Sequence, residues 1–80
     1  MEKFADKFGE YVVLQHKFVC YRSRSIHFDT IKEIRSKNNR LVINHFKTNS
    51  TVPQMTIFFE DKEKADEFHM CLMKSISQLK

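Results

Sequence analysis

MTIFFEDKEKADEFHMCLMKSISQL, residues 55–79, runs from a short apolar strand through Asp61 into one long amphipathic helix. Within it Ala65, Phe68, Leu72, Ile76 and Leu79 recur at spacings of three and four, which places them on one helix face at about 100° per residue. That face requires an apolar surface to cover. Asp61 fits the helix N-cap, Glu63, Asp66 and Glu67 lie near the positive end of the helix dipole, and Lys74 and Lys80 lie toward the other end. Capping and dipole thus explain the acidic cluster that begins the helix. They leave Met70, opposite the apolar stripe, and Met73, about 60° from it, without a structural reason.

The residues before this stretch supply the surface it covers. Glu10–Arg22, EYVVLQHKFVCYR, is rich in β-branched and aromatic residues and reads as extended structure. Its polar middle, Gln15 to Lys17, fits either one long strand that bends there or a hairpin that turns there. Ile26, Phe28, Ile31 and Ile34 are the next inward candidates. Between them Asp29 either caps one helical turn or marks a tight turn between two short strands, the turn being preferred. Ser36-Lys37-Asn38-Asn39 has turn composition and implies a hairpin. Arg40–Lys47 then reads as a strand with Leu41, Ile43 and His45 on one face. Thr48–Pro53 is a polar loop, and Met55–Glu60 is the last strand. At the start of the chain, Phe4 and Phe8 stand four apart and Gly9 follows, a spacing that predicts a short helix over Glu2–Phe8 closed by a left-handed glycine.

The expected architecture is therefore α+β: an antiparallel sheet of four to five strands, with a short N-terminal helix and the long C-terminal helix packed on it. Eighty residues make one domain, and the 41% apolar content with eight Phe and two Tyr is globular composition. No apolar run approaches the roughly 20 residues needed to cross a bilayer, and the first ten residues lack the apolar core of a secretory signal. A cytoplasmic protein is expected. Cys20 and Cys71 then read as reduced packing thiols.

Catalytic and metal constellations do not assemble on paper. Ser25, His27 and Asp29 are strand neighbours side by side, about 7 Å apart at the α-carbons, rather than a nucleophile within reach of its base. His16, Cys20, His69 and Cys71 offer zinc-ligand types. However, His69 and Cys71 are about 200° apart around a helix and cannot face one ion. Gly9 is the only glycine, which excludes a glycine-rich phosphate loop. No enzyme activity, cofactor, metal or small-molecule substrate is expected.

Charge is uneven along the chain. The net charge is +4, and residues 17–47 hold eight Lys or Arg against Asp29 and Glu33. Arg22, Arg24, Lys37, Arg40 and Lys47, with Tyr21, His45 and Phe46 interleaved, have the makings of a sheet surface for nucleic acid, with bases stacked on rings and phosphates on cations. The same basic loops meet an anionic lipid headgroup less well.

With the strands placed, SIHFDTIKEI, RLVINHF and MTIFFEDKEKADEFHMCLMKSI resemble the closing half of a pleckstrin-homology-like (PH or GRAM) domain, over residues 25–79. The shared features are short strands around an Ile-x-x-Ile element, a hairpin, a last strand ending in Phe-Phe, and a capping helix with Ala65, Phe68 and Leu72 inward. The chain is shorter than that family's domains, so the resemblance implies a truncated or half-PH form, with Phe68 where the family carries a helix tryptophan. Arg22 and Arg24 are similar in position to its basic headgroup loop.

The expected function is that of a small protein-binding module, an adaptor or inhibitor of a larger protein or a homodimer. Its contact surface is expected at Met70 and Met73, with the hairpin around Lys37 and Arg40 as second choice. The alternative is a single-stranded nucleic-acid binder contacting its ligand through Tyr21, Arg22, Arg24, Phe46 and Lys47.

Overall fold

The computed structural model describes residues 2–46 and 53–78. Among these residues the chain forms seven strands and one α-helix. They are β1 (Glu2–Ala5), β2 (Tyr11–Gln15), β3 (Phe18–Tyr21), β4 (Arg24–His27), β5 (Ile31–Lys37), β6 (Arg40–His45), β7 (Gln54–Phe58) and α1 (Lys62–Ser77). They make two antiparallel sheets, one in the order β1-β2-β3-β4 and one in the order β5-β6-β7. The α+β class with a C-terminal helix stands, but four or five strands become seven, in two sheets.

The N-terminal helix is also corrected: Glu2–Ala5 is an edge strand paired with β2 in the register Phe4 with Val12. The spacing of Phe4 and Phe8 mimics a helical face, yet the two rings serve different neighbours. Phe4 packs edge-to-face on Phe68 of α1 at 5.0 Å, and Phe8 lies against Phe58 at 6.4 Å. Pairing satisfies the β1 backbone more cheaply than a seven-residue helix, which is marginal in water. Gly9 does adopt the left-handed conformation, φ 84°, but in the loop between β1 and β2 rather than at a helix end.

Of the two readings of residues 10–22, the hairpin is the one formed. His16, at φ 55°, turns the chain between β2 and β3. The two-residue turn changes which parity faces inward: Val12 and Leu14 are buried on β2, whereas Val19 and Tyr21 are buried on β3. A second tight turn at Arg22-Ser23, with φ 49° and 64°, brings β4 back alongside β3. Positive φ at both central residues is the geometry whose twist matches paired strands.

Asp29 lies in a single 3-10 turn, Phe28–Thr30, so the tight turn between short strands is what forms. The turn carries the chain from one sheet to the other, and Phe46 N–H donates to Thr30 O at 2.9 Å across the junction. The hairpin at Asn38-Asn39 forms as its composition implies, with Lys37 paired to Arg40 and Asn38 at φ 55°.

One core serves both sheets and the helix. Val12, Val19 and Ile26 line the four-stranded sheet, Leu41, Ile43, Met55 and Ile57 the three-stranded one, and Phe59, Ala65, Phe68 and Leu72 complete the cluster. The alternation of β6 holds: Leu41, Ile43 and His45 are buried together. On α1, Ala65, Phe68 and Leu72 are fully buried and Ile76 packs on the same cluster. Leu79, Lys47 and the loop over 48–52 lie outside the described residues. Asp61 caps α1 as its position implies, its Oδ1 accepting from Lys64 N–H at 2.9 Å.

Candidate functional site

The outer side of α1 is built by the same periodicity that seals its inner side. Lys62 pairs with Asp66 one turn on, at 2.9 Å, and Ser36 Oγ meets His69 Nδ1 at 3.0 Å, which ties the helix flank to β5. Met70 and Met73 project away from the core, 73% and 48% exposed. Beside them Cys71 is half-buried. Burial first, then Glu2 and Glu67, push its thiol up against the opposing pull of Lys74, which suppresses the reactive thiolate.

Lys37 and Arg40 face each other across the β5–β6 hairpin, both exposed. Their outer face also carries Arg35, paired with Glu33, and Phe58, which stands opposite Arg40 on β7. Lys37 and Arg40 also line an open cleft of about 600 Å³ that runs past Val42, Asn44 and Gln54 to His69.

Of the other expected contact residues, Tyr21, Arg22 and Arg24 adjoin on the β3–β4 hairpin but do not form one exposed surface. Tyr21 is buried, and its hydroxyl donates to Asp6. Arg22 lies over the rings of Phe8 and Tyr21, at 5.5 and 5.4 Å. Arg24 reaches across to the second sheet, donating to Gln54 O at 3.2 Å and meeting His45 Nε2 at 3.3 Å. His45 Nδ1 faces Phe46 O at 3.0 Å, so that nitrogen donates and Nε2 accepts from Arg24. Phe46 is exposed and lies under Lys32.

Asp6 is the organising group the sequence reading passed over. Its side chain is fully buried and accepts from Phe8 N–H and Glu10 N–H, both at 2.8 Å, as well as from Tyr21, with Arg22 at 4.0 Å. Burial works to raise its pKa. The Tyr21, Glu10 and Phe8 hydrogen bonds and the Arg22 charge outweigh it and hold the carboxyl below its ordinary value. Tyr21 is pushed up to about 12 by burial and then by Asp6. Every donor is internal, so this is a brace between the β1–β2 loop and β3. Its one sequence signal was the Asp-x-x-Gly spacing of Asp6 and Gly9, which fits a turn as well as a helix end.

His27 and Asp29 lie together, with His27 Nδ1 3.6 Å from Asp29 Oδ2, while Ser25 is turned to another neighbour. Ser25 Oγ meets Cys20 Sγ at 3.4 Å, while His27 Nδ1 accepts from Asp29 N–H at 3.1 Å. Among the described residues no three His, Cys, Asp or Glu side chains gather as metal ligands, and no helix is long and apolar enough to cross a membrane. No protein-family profile matches the chain, and a search of curated proteins returned no match.

Proposed function

We propose that the chain is a non-enzymatic, cytoplasmic protein-binding module of pleckstrin-homology-like build, which docks on a larger protein or on a second copy of itself through the outer side of α1. The carrying observation is the exposure of Met70 and Met73 on a helix whose opposite face is sealed into the core. Methionine is unbranched and polarisable, so such a pair adapts to a partner's apolar surface at little cost in shape. Seven antiparallel strands arranged as four plus three, followed by a C-terminal helix, support the PH-like reading. The role is that of an adaptor or inhibitor.

Comparing wild type with Met70→Asp/Met73→Asp as bait for affinity capture from the native host, followed by sizing of the complex, tests this reading. Wild type retains a partner or elutes as a dimer, and the variant does neither. An identical complex on both baits rules the surface out. Tyr21 and Arg24 drop out of the nucleic-acid surface expected from sequence, because Tyr21 is buried and Arg24 is turned to Gln54 and His45, whereas Arg22, Lys37 and Arg40 are exposed.

A further inference from the structure

Phe8 and Phe58 come from opposite ends of the chain and meet edge-to-face on the surface, 61% and 38% exposed. Lys7 N–H donates to Phe58 O at 2.7 Å and locks the loop carrying Phe8 against β7. The Arg22 guanidinium lies 5.5 Å from the Phe8 ring, and Arg40 stands opposite Phe58 in the sheet register with Lys37 as its hairpin partner. Among the described residues neither Lys37 nor Arg40 is engaged in an ion pair. Next to Phe58 a cavity of about 310 Å³ is lined by Lys37, Asn38, Asn39 and Arg40. Asn39 is held by its own bond to Phe59 O, whereas the Asn38 side chain is exposed at the rim.

We propose that this surface binds single-stranded nucleic acid. A base rests against the Phe58 ring in the cavity with Asn38 at its polar edge, and the backbone phosphates lie on Lys37, Arg40 and Arg22. Rings interleaved with exposed cations are what a flexible polyanion with stackable bases requires, and the stacking is tolerant of sequence. A membrane is the poorer occupant. The two rings are braced edge-to-face against each other, and Arg22 covers part of Phe8, which leaves less ring free to insert as a wedge. An acidic peptide would use the cations and leave the rings idle. The surface is separate from Met70 and Met73, so its fate is independent of the protein-binding reading.

The test is fluorescence anisotropy of a short labelled deoxythymidine oligonucleotide titrated with the protein at low and at high salt. Binding that weakens steeply with salt is expected. Lys37→Ala and Arg40→Ala each lower the slope of log affinity against log salt by about one. Phe58→Leu, which keeps apolar volume in the strand, and Phe8→Ala, at an exposed loop position, each weaken binding roughly 5- to 100-fold, with circular dichroism checking that both variants fold. Met70→Asp/Met73→Asp binds as wild type does. The proposal is overturned by no anisotropy change at low salt, by affinity indifferent to Phe58→Leu and Phe8→Ala, by loss of binding in the methionine variant, or by tighter binding to phosphatidylserine vesicles than to the oligonucleotide.

Discussion

Replacing Asp6 by alanine removes one acceptor and strands three donors: the N–H groups of Phe8 and Glu10 and the hydroxyl of Tyr21. The two N–H groups belong to exposed residues, so water replaces much of what they lose. Tyr21 is 6% exposed, and its hydroxyl faces the full cost of a buried unpaired donor, about 1–3 kcal/mol. The Arg22 contact, at 4.0 Å from a half-exposed side chain, adds little. Together these make Asp6→Ala cost about 3 kcal/mol, a large part of the roughly 4–12 kcal/mol ordinary for a domain of this size. Urea unfolding followed by circular dichroism reads that loss directly, and thermal melts should fall by about 12–24 °C. A double-mutant cycle with Tyr21→Phe isolates the pair. Asp6→Ala costs less once the hydroxyl is gone, with a coupling of about 1–2 kcal/mol. A loss below about 0.5 kcal/mol, or strict additivity in the cycle, refutes the brace.

The same pair sets two pH edges to stability. Asp6 is held below its ordinary value of 3.8, so the unfolded state takes up the proton first on acidification, and the stabilisation present above that value is lost as pH falls through the folded pKa. Tyr21 is raised from 10.0 to about 12, so its contribution is intact below pH 10 and is lost as pH rises toward 12. Tyr21→Phe should abolish that alkaline step in melts taken across the range. Ser23→Gly should stabilise by about 0.5–1 kcal/mol in urea titrations, because Ser23 sits at φ 64° in a turn where glycine carries no steric penalty. Phe68→Ala should cost about 3–5 kcal/mol by the same method, since its fully buried ring touches both Phe4 and Phe59.

What the sequence disclosed depended on how each element announces itself. The helix was legible because its stripe, its Asp61 cap and its length all agree. The β5–β6 hairpin was legible because Asn38 tolerates the left-handed backbone the turn requires. The first sheet was not, because His16, Arg22 and Ser23 adopt positive φ without the glycine or asparagine that marks such turns. A sequence reading leaves one strand or two open across the turn at His16, which also reverses the inward parity, and it takes β1 for a helix. That is why the strand count came out low. Of the candidate site, the outward methionines followed from helical period alone. The approach of Phe8 to Phe58 could not be anticipated, since it depends on β1 being a strand whose loop returns to the end of β7.

The claim that Met70 and Met73 form the docking surface is tested most directly by labelling the methionine methyl groups with carbon-13 and adding the captured partner. Met55, 1% exposed in the core, serves as the internal control. The account predicts that the Met70 and Met73 methyl resonances shift or broaden while that of Met55 does not. Unchanged Met70 and Met73 resonances in a complex that demonstrably forms would contradict it.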